Sequence, residues 1–225
     1  MELHFDQELA QLKEDLLHMS ALTEQSMSEA LKALVQRDDT LAEKVDVGDA
    51  ELDKLHMEID DFCIQLIALR QPKARDLRFI IMTMKVAAEL ERIGDQAVNI
   101  AHRAEELNLE PPLKPLVDIP RMAEHARSMI HNALEAFVYG KVELARTVIE
   151  QDDQVDQLNR QLHRELTSYM IENPQTITRA LNLMSIAYNL ERIGDHVSNI
   201  AEDIVYLYEA RDIRHPQREL PPPGH

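Results

Sequence analysis

The sequence predicts an all-α protein built as two tandem three-helix bundles of long antiparallel helices. Three observations carry that reading: the spacing of the prolines, the period of the apolar residues, and an internal repeat. The ten prolines stand at 72, 111, 112, 115, 120, 174, 216 and 221–223, and long proline-free segments lie between them. Each segment has apolar residues in steps of three and four, the mark of a helix with one buried face. No segment alternates with period two over a useful length. Five glycines and no tryptophan in 225 residues are also few for a sheet protein, whose turns consume glycine.

The first helix carries the seam Phe5, Leu9, Leu12, Leu16 and Met19, continued loosely by Ala30 and Leu34. The second carries Leu41, Val45, Gly48, Leu52, Leu55, Ile59, Phe62, Leu66 and Leu69. Seams of this length suit helices packed at shallow angles. The third, after Pro72, carries Val86, Leu90, Ile93, Ala97, Ile100, Ala104 and Leu107.

The chain then repeats itself. Leu90-Glu91-Arg92-Ile93-Gly94-Asp95 recurs one hundred residues later as Leu190-Glu191-Arg192-Ile193-Gly194-Asp195. Nine of thirteen residues agree between 89–101 and 189–201. Upstream the offset is 103, pairing Asp49, Leu52 and Asp53 with Asp152, Val155 and Asp156. An interhelical loop near Pro72 and Pro174 is expected to absorb the three-residue difference. The organisation predicted is a first repeat over 1–108, a proline-rich linker over 109–117, a second repeat over 118–210 and a disordered tail over 211–225. Each repeat is expected to bury its own seam.

Charge narrows the function. Lys and Arg number 24 against 41 Asp and Glu, a formal net charge of −17. That balance excludes nucleic acid as the main ligand, because affinity there comes from neutralising phosphates. It suits metal cations or basic partner surfaces. Cys63 is the sole cysteine, so no intramolecular disulfide can form and a reducing compartment is expected. The N-terminus has no basic segment followed by an apolar one, and the most apolar stretch, 79–84, ends at Lys85. A soluble, cytoplasmic protein is the expectation.

The repeated acids are the candidate site. Glu91 and Asp95 lie four apart on one helical face. At about 100° per residue they point away from Ile93 and Ile100. Their neighbours there are mostly apolar (Leu77, Met84, Ala88, Val98), whereas Lys85, Glu89, Arg92, Gln96 and Arg103 form the solvated strip. Carboxylates in such a setting need a counter-charge or a cation. Asp49 and Asp53 on the second helix have the same spacing, and Asp152, Asp156, Glu191 and Asp195 repeat the set. If helices two and three are adjacent, each half brings four carboxylates to one locus. Oxygen-only ligands suit a divalent or trivalent hard cation, with Mg, Mn, Ca or Fe all compatible. Two other readings stay open: a structural ion-pair network through Arg92 and Arg192, and a carboxylate-bridged metal-dependent enzyme. No Glu-x-x-His and no phosphate-binding glycine loop is present.

Gly94 and Gly194 sit inside these helices, at about 1 kcal/mol each relative to alanine. Because Leu90, Ile93, Ala97 and Ile100 keep phase across Gly94, the sequence predicts a continuous helix with a close backbone approach rather than a helix end.

Two three-helix repeats, each with Glu-Arg-Ile-Gly-Asp before Asn-Ile-Ala, resemble the PhoU family over residues 1–210. The resemblance implies metal sites at Glu91, Asp95, Glu191 and Asp195 with the facing Asp49, Asp53, Asp152 and Asp156. It implies a homodimer, cytoplasmic and close to the membrane through its partners only, with no catalysis of its own. It also implies a negative regulator of phosphate uptake and phosphate-starvation signalling, whose partners are the phosphate ABC transporter ATPase and a sensor histidine kinase. Ser198 and Glu202 replace Val98 and His102 in the second copy, so the two metal loci are expected to differ.

Overall fold

The computed structural model describes residues 2–209, and the tail predicted over 211–225 lies outside them. The described residues form six α-helices and one short 3-10 turn, with no strand. They are α1 (Glu2–Gln36), α2 (Asp39–Arg70), α3 (Ala74–Asn108), α4 (Asp118–Tyr139), α5 (Val142–Glu172) and α6 (Ile177–Glu209), the 3-10 turn being Pro174–Thr176. No described helix is long and apolar enough to cross a membrane.

The seams fold as predicted. Leu12, Leu16 and Met19 of α1, Val45, Leu52, Ile59 and Leu66 of α2, and the whole α3 seam from Val86 to Leu107 are buried. Leu69 departs from this, at 75% exposed, one residue before α2 ends. Cys63 is buried, and burial pushes its thiol up to about 12, so it packs as a small apolar residue. The repeat offset is absorbed where expected. Three residues, 71–73, separate α2 from α3; Asn173 alone separates α5 from the 3-10 turn, and α5 has 31 residues to the 32 of α2.

The first helices of the two halves differ most, with 35 residues in α1 and 22 in α4. Gly140 ends α4 in the left-handed region, at φ 68°, and a Cβ there would meet the Tyr208 ring at 3.0 Å. The Tyr208 hydroxyl donates to the Phe137 carbonyl at 3.0 Å, which ties the end of α6 to α4. Gly140→Ala is expected to cost about 1–2 kcal/mol from the backbone conformation. A thermal melt equal to wild type would show that this corner carries no strain.

Helices α1–α3 pack on one another, as do α4–α6, and the halves meet where α3 lies against α6 and α1 against α4. The α3–α6 contact is antiparallel: Lys85 reaches Asp203 at 3.3 Å and Glu89 reaches His196 at 2.7 Å. The buried residues of both halves therefore join in one apolar core. This changes the expectation that each repeat buries a separate seam. Both seams are buried, but the third helix of each half also serves the other half.

Candidate functional site

Gly94 and Gly194 set the geometry. Both lie inside unbroken helices, α3 and α6. A Cβ on Gly94 would stand 2.2 Å from Leu52 Cδ2 and 3.7 Å from Asp49 Oδ1. A Cβ on Gly194 would stand 2.7 Å from Asp152 Oδ1 and 3.9 Å from the Cβ of Val155. The missing side chains let α2 settle on α3, and α5 on α6, with an aspartate of one helix against the bare backbone of the other.

That approach brings the predicted acids together. In the first half, burial raises the Asp49 carboxyl, and the charges of Asp53, Asp95 and Asp46 raise it further. Glu91 is raised first by burial and then by Asp95, with His56 opposing. In the second half, Asp152 is pushed up to about 6, chiefly by burial and then by Asp195 and Asp156, while the Ser198 hydroxyl pulls the other way. Glu191 is raised by burial and by Asp195 and Asp156. Each aspartate pair thus faces its Glu-x-x-x-Asp pair across a helix–helix contact, and the neighbouring like charges add to burial in opposing the ionisation of Asp49, Glu91, Asp152 and Glu191.

The arginines behave differently in the two halves. Arg92 turns to Glu89 at 2.9 Å, and among the described residues Asp49, Asp53, Glu91 and Asp95 make no ion pair. Arg192 does reach Asp195, at 3.0 Å, and Arg160 reaches Asp156, also at 3.0 Å. Asp152 and Glu191 have no such partner, and Glu191 Oε2 is buried without a hydrogen bond. The ion-pair reading therefore accounts for part of the second acid set and none of the first.

As the side chains stand, no three His, Cys, Asp or Glu among the described residues converge on a common point at ligating distance. The second donor set nevertheless fits a hard cation: it is all oxygen and partly buried, like charges raise Asp152 and Glu191, and one oxygen is unsatisfied. Asp53 and Asp95 of the first set, by contrast, are exposed.

One feature of this face escaped the helical wheel. Glu89, assigned by periodicity to the solvated strip, has a side chain only 15% exposed and bonds His196, itself 7% exposed, across the α3–α6 contact. The bond holds the Glu89 carboxyl below its ordinary value in spite of burial. A wheel drawn for one helix shows which side leaves its own bundle, and cannot show that a second bundle covers it.

The fold and site define a helical repeat protein with an acid cluster duplicated between the second and third helices of each half. A family model described as the PhoU domain matches residues 16–104 and again 119–204. The chain belongs to the PhoU family. It is 43% identical over 208 residues to the phosphate-specific transport system accessory protein PhoU homolog of Aquifex aeolicus, covering 92% of this chain and 94% of that protein. It is 36% identical over 211 residues to the corresponding accessory protein PhoU of Escherichia coli, covering 94% and 88%. The crystal structure of PhoU from Pseudomonas aeruginosa matches with a TM-score of 0.89 at 38% identity, over 92% of this chain and 100% of that one. That of the phosphate transport system regulatory protein PhoU from Streptococcus pneumoniae matches with a TM-score of 0.84 at 30% identity, over 93% and 99%.

Proposed function

We propose that this protein is a non-catalytic regulator of phosphate transport that works as a metal-binding adaptor. Each acid quartet takes a hard cation, and the resulting face docks on the ATPase of the phosphate transporter and on its sensor histidine kinase. The protein acts in the cytoplasm, as a homodimer, and damps both uptake and starvation signalling. Family membership across nearly the whole chain supports the phosphate-transport role. The observation that carries the metal reading is the second quartet, where Asp152 is pushed up to about 6 and Glu191 keeps a buried, unpaired oxygen. A cation shared by these carboxylates offsets both their desolvation and the repulsion between them.

Two measurements test the reading. Mn²⁺, Mg²⁺ or Fe bound only by the folded state should raise the melting temperature, by an amount equivalent to about 2.7 kcal/mol at one hundred times Kd. Ala at all four of Glu91, Asp95, Glu191 and Asp195 should lose most of that gain; an equal gain would indicate general screening of the −17 charge. In binding assays Glu191→Ala/Asp195→Ala should weaken ATPase or kinase binding at least about tenfold, as expected when one side of a buried charge-assisted contact is removed. In cells that variant should switch on phosphate-starvation genes in rich phosphate. A folded variant that still represses fully would remove these two acids from the signal.

A further inference from the structure

At the N-terminal end of α3, away from the acid quartet, Lys13 of α1 and Arg75 and Arg78 of α3 line a surface cavity of about 420 Å³. Phe79 and Tyr208 form part of its wall, and Asp76 is the one acid among its described lining residues. Three cations against one carboxylate leave the lining at +2, in a chain whose net charge is −17. Nearby cations are neutralised: Arg70 is held by Glu8 at 2.6 Å and Arg146 by Glu209 at 2.6 Å. Lys13, Arg75 and Arg78 make no ion pair among the described residues, and Lys13 Nζ sits 5.3 Å from the centre of the Phe79 ring. The Tyr208 hydroxyl is already engaged with the Phe137 carbonyl, so these cations are the chief polar groups offered to a ligand.

The position of the cations matters as much as their number. Arg75 and Arg78 occupy the first turns of α3, whose N-cap, Lys73, offers no side-chain hydrogen bond to the opening N–H groups. That end of a helix favours anions; Asp76 in the first turn supplies one, and Arg75 and Arg78 on either side of it work against the helix dipole. The fold does not require them. One hundred residues on, at the start of the corresponding helix, positions 173, 175 and 178 hold Asn173, Gln175 and Thr178, and Asn173 caps the turn through its own side chain. Arg75 and Arg78 therefore have no basic counterpart at 175 and 178 in the second repeat.

We propose that this cavity is an anion site for a phosphoryl group, taken as free phosphate or on a phosphate ester. Two guanidiniums and an ammonium supply the geometry that a phosphate dianion recognises. A cavity of this size also has room for the organic part of an ester beside Phe79. The site is separate from the acid quartets and does not depend on the metal reading.

Isothermal titration of the whole protein, in chelator-treated buffer of low ionic strength, tests this with inorganic phosphate and, separately, with adenosine monophosphate. Saturable binding is expected for at least one, and whichever binds more tightly identifies the source. Arg75→Ala/Arg78→Ala should weaken it by about tenfold or more, since hydrogen bonds to charged groups are lost. Asp76→Asn, which removes the opposing carboxylate, should tighten it. Glu191→Ala/Asp195→Ala should leave it unchanged, so failure of the metal reading would not be mistaken for failure here. No saturable binding of either anion, or equal affinity in wild type and the double arginine variant with both folded by circular dichroism, would overturn the proposal.

Discussion

Leu52→Ala is expected to destabilise the protein by about 2–5 kcal/mol in urea melts, the range for deleting a buried leucine. Leu52 is 1% exposed and fills the space that the absent side chain of Gly94 leaves between α2 and α3. Gly94→Ala alone should also destabilise. Its methyl would stand 2.2 Å from Leu52 Cδ2, an overpacking that costs about 1–3 kcal/mol and exceeds the roughly 1 kcal/mol gained in helix propensity. The two changes act on one space, so they should not add. In the double variant the methyl introduced by Gly94→Ala enters the cavity that Leu52→Ala opens, and the loss should fall short of the sum by about 1 kcal/mol or more. Strict additivity would show that Gly94 is not there to receive Leu52. At Gly194 the expectation differs, because the clash is with the Asp152 carboxylate and Val155 stands back at 3.9 Å. Gly194→Ala should leave the core intact and disturb the acid quartet.

The second large effect concerns Asp152 and pH. Its carboxyl is raised from 3.8 to about 6, first by burial and then by Asp195 and Asp156. The folded state therefore holds this proton more tightly than the unfolded chain does. The group is harmless to stability below about pH 4, and its ionisation weakens the fold progressively as pH rises through about 6. The full shift corresponds to about 3 kcal/mol; solvent on the open side of the site screens it to about 1–2 kcal/mol. Asp152→Asn should accordingly stabilise the metal-free protein at pH 8 and change nothing near pH 3.5. In the presence of Mn²⁺ the order should reverse, with the wild type gaining and the variant gaining less. A variant less stable than wild type at pH 8 without metal would mean that Asp152 makes a favourable contact that outweighs its repulsion.

Much of this architecture is legible in the sequence alone. The helices follow from apolar residues such as Leu90, Ile93, Ala97 and Ile100, which recur on one side of a 3.6-residue period and are all buried. Gly94 was legible because that period continues through it, which leaves close approach as the reason for a glycine. The acids were legible because Glu91 and Asp95 recur as Glu191 and Asp195 within an unchanged hexapeptide, in a repeat that has otherwise diverged. Their grouping with Asp49 and Asp152 needed only the adjacency of neighbouring helices. Each of these readings depends on distances along one helix or between consecutive ones.

What the sequence by itself determined, then, is the set of helices, their doubling, and the acids that each pair of helices presents. The tertiary structure decided how the two copies were made unequal and what lies between them. Arg92 turns to Glu89 while Arg192 turns to Asp195, so one acid set is bare and the other partly neutralised. Glu89 leaves the solvated strip for a bond with His196, 107 residues away. Lys13, Arg75 and Arg78 become neighbours only because α1 and α3 pack together where the end of α6 arrives. Periodicity records which side of a helix leaves water. Which other helix receives that side depends on packing between segments distant in the chain, and no spacing along a single helix encodes it.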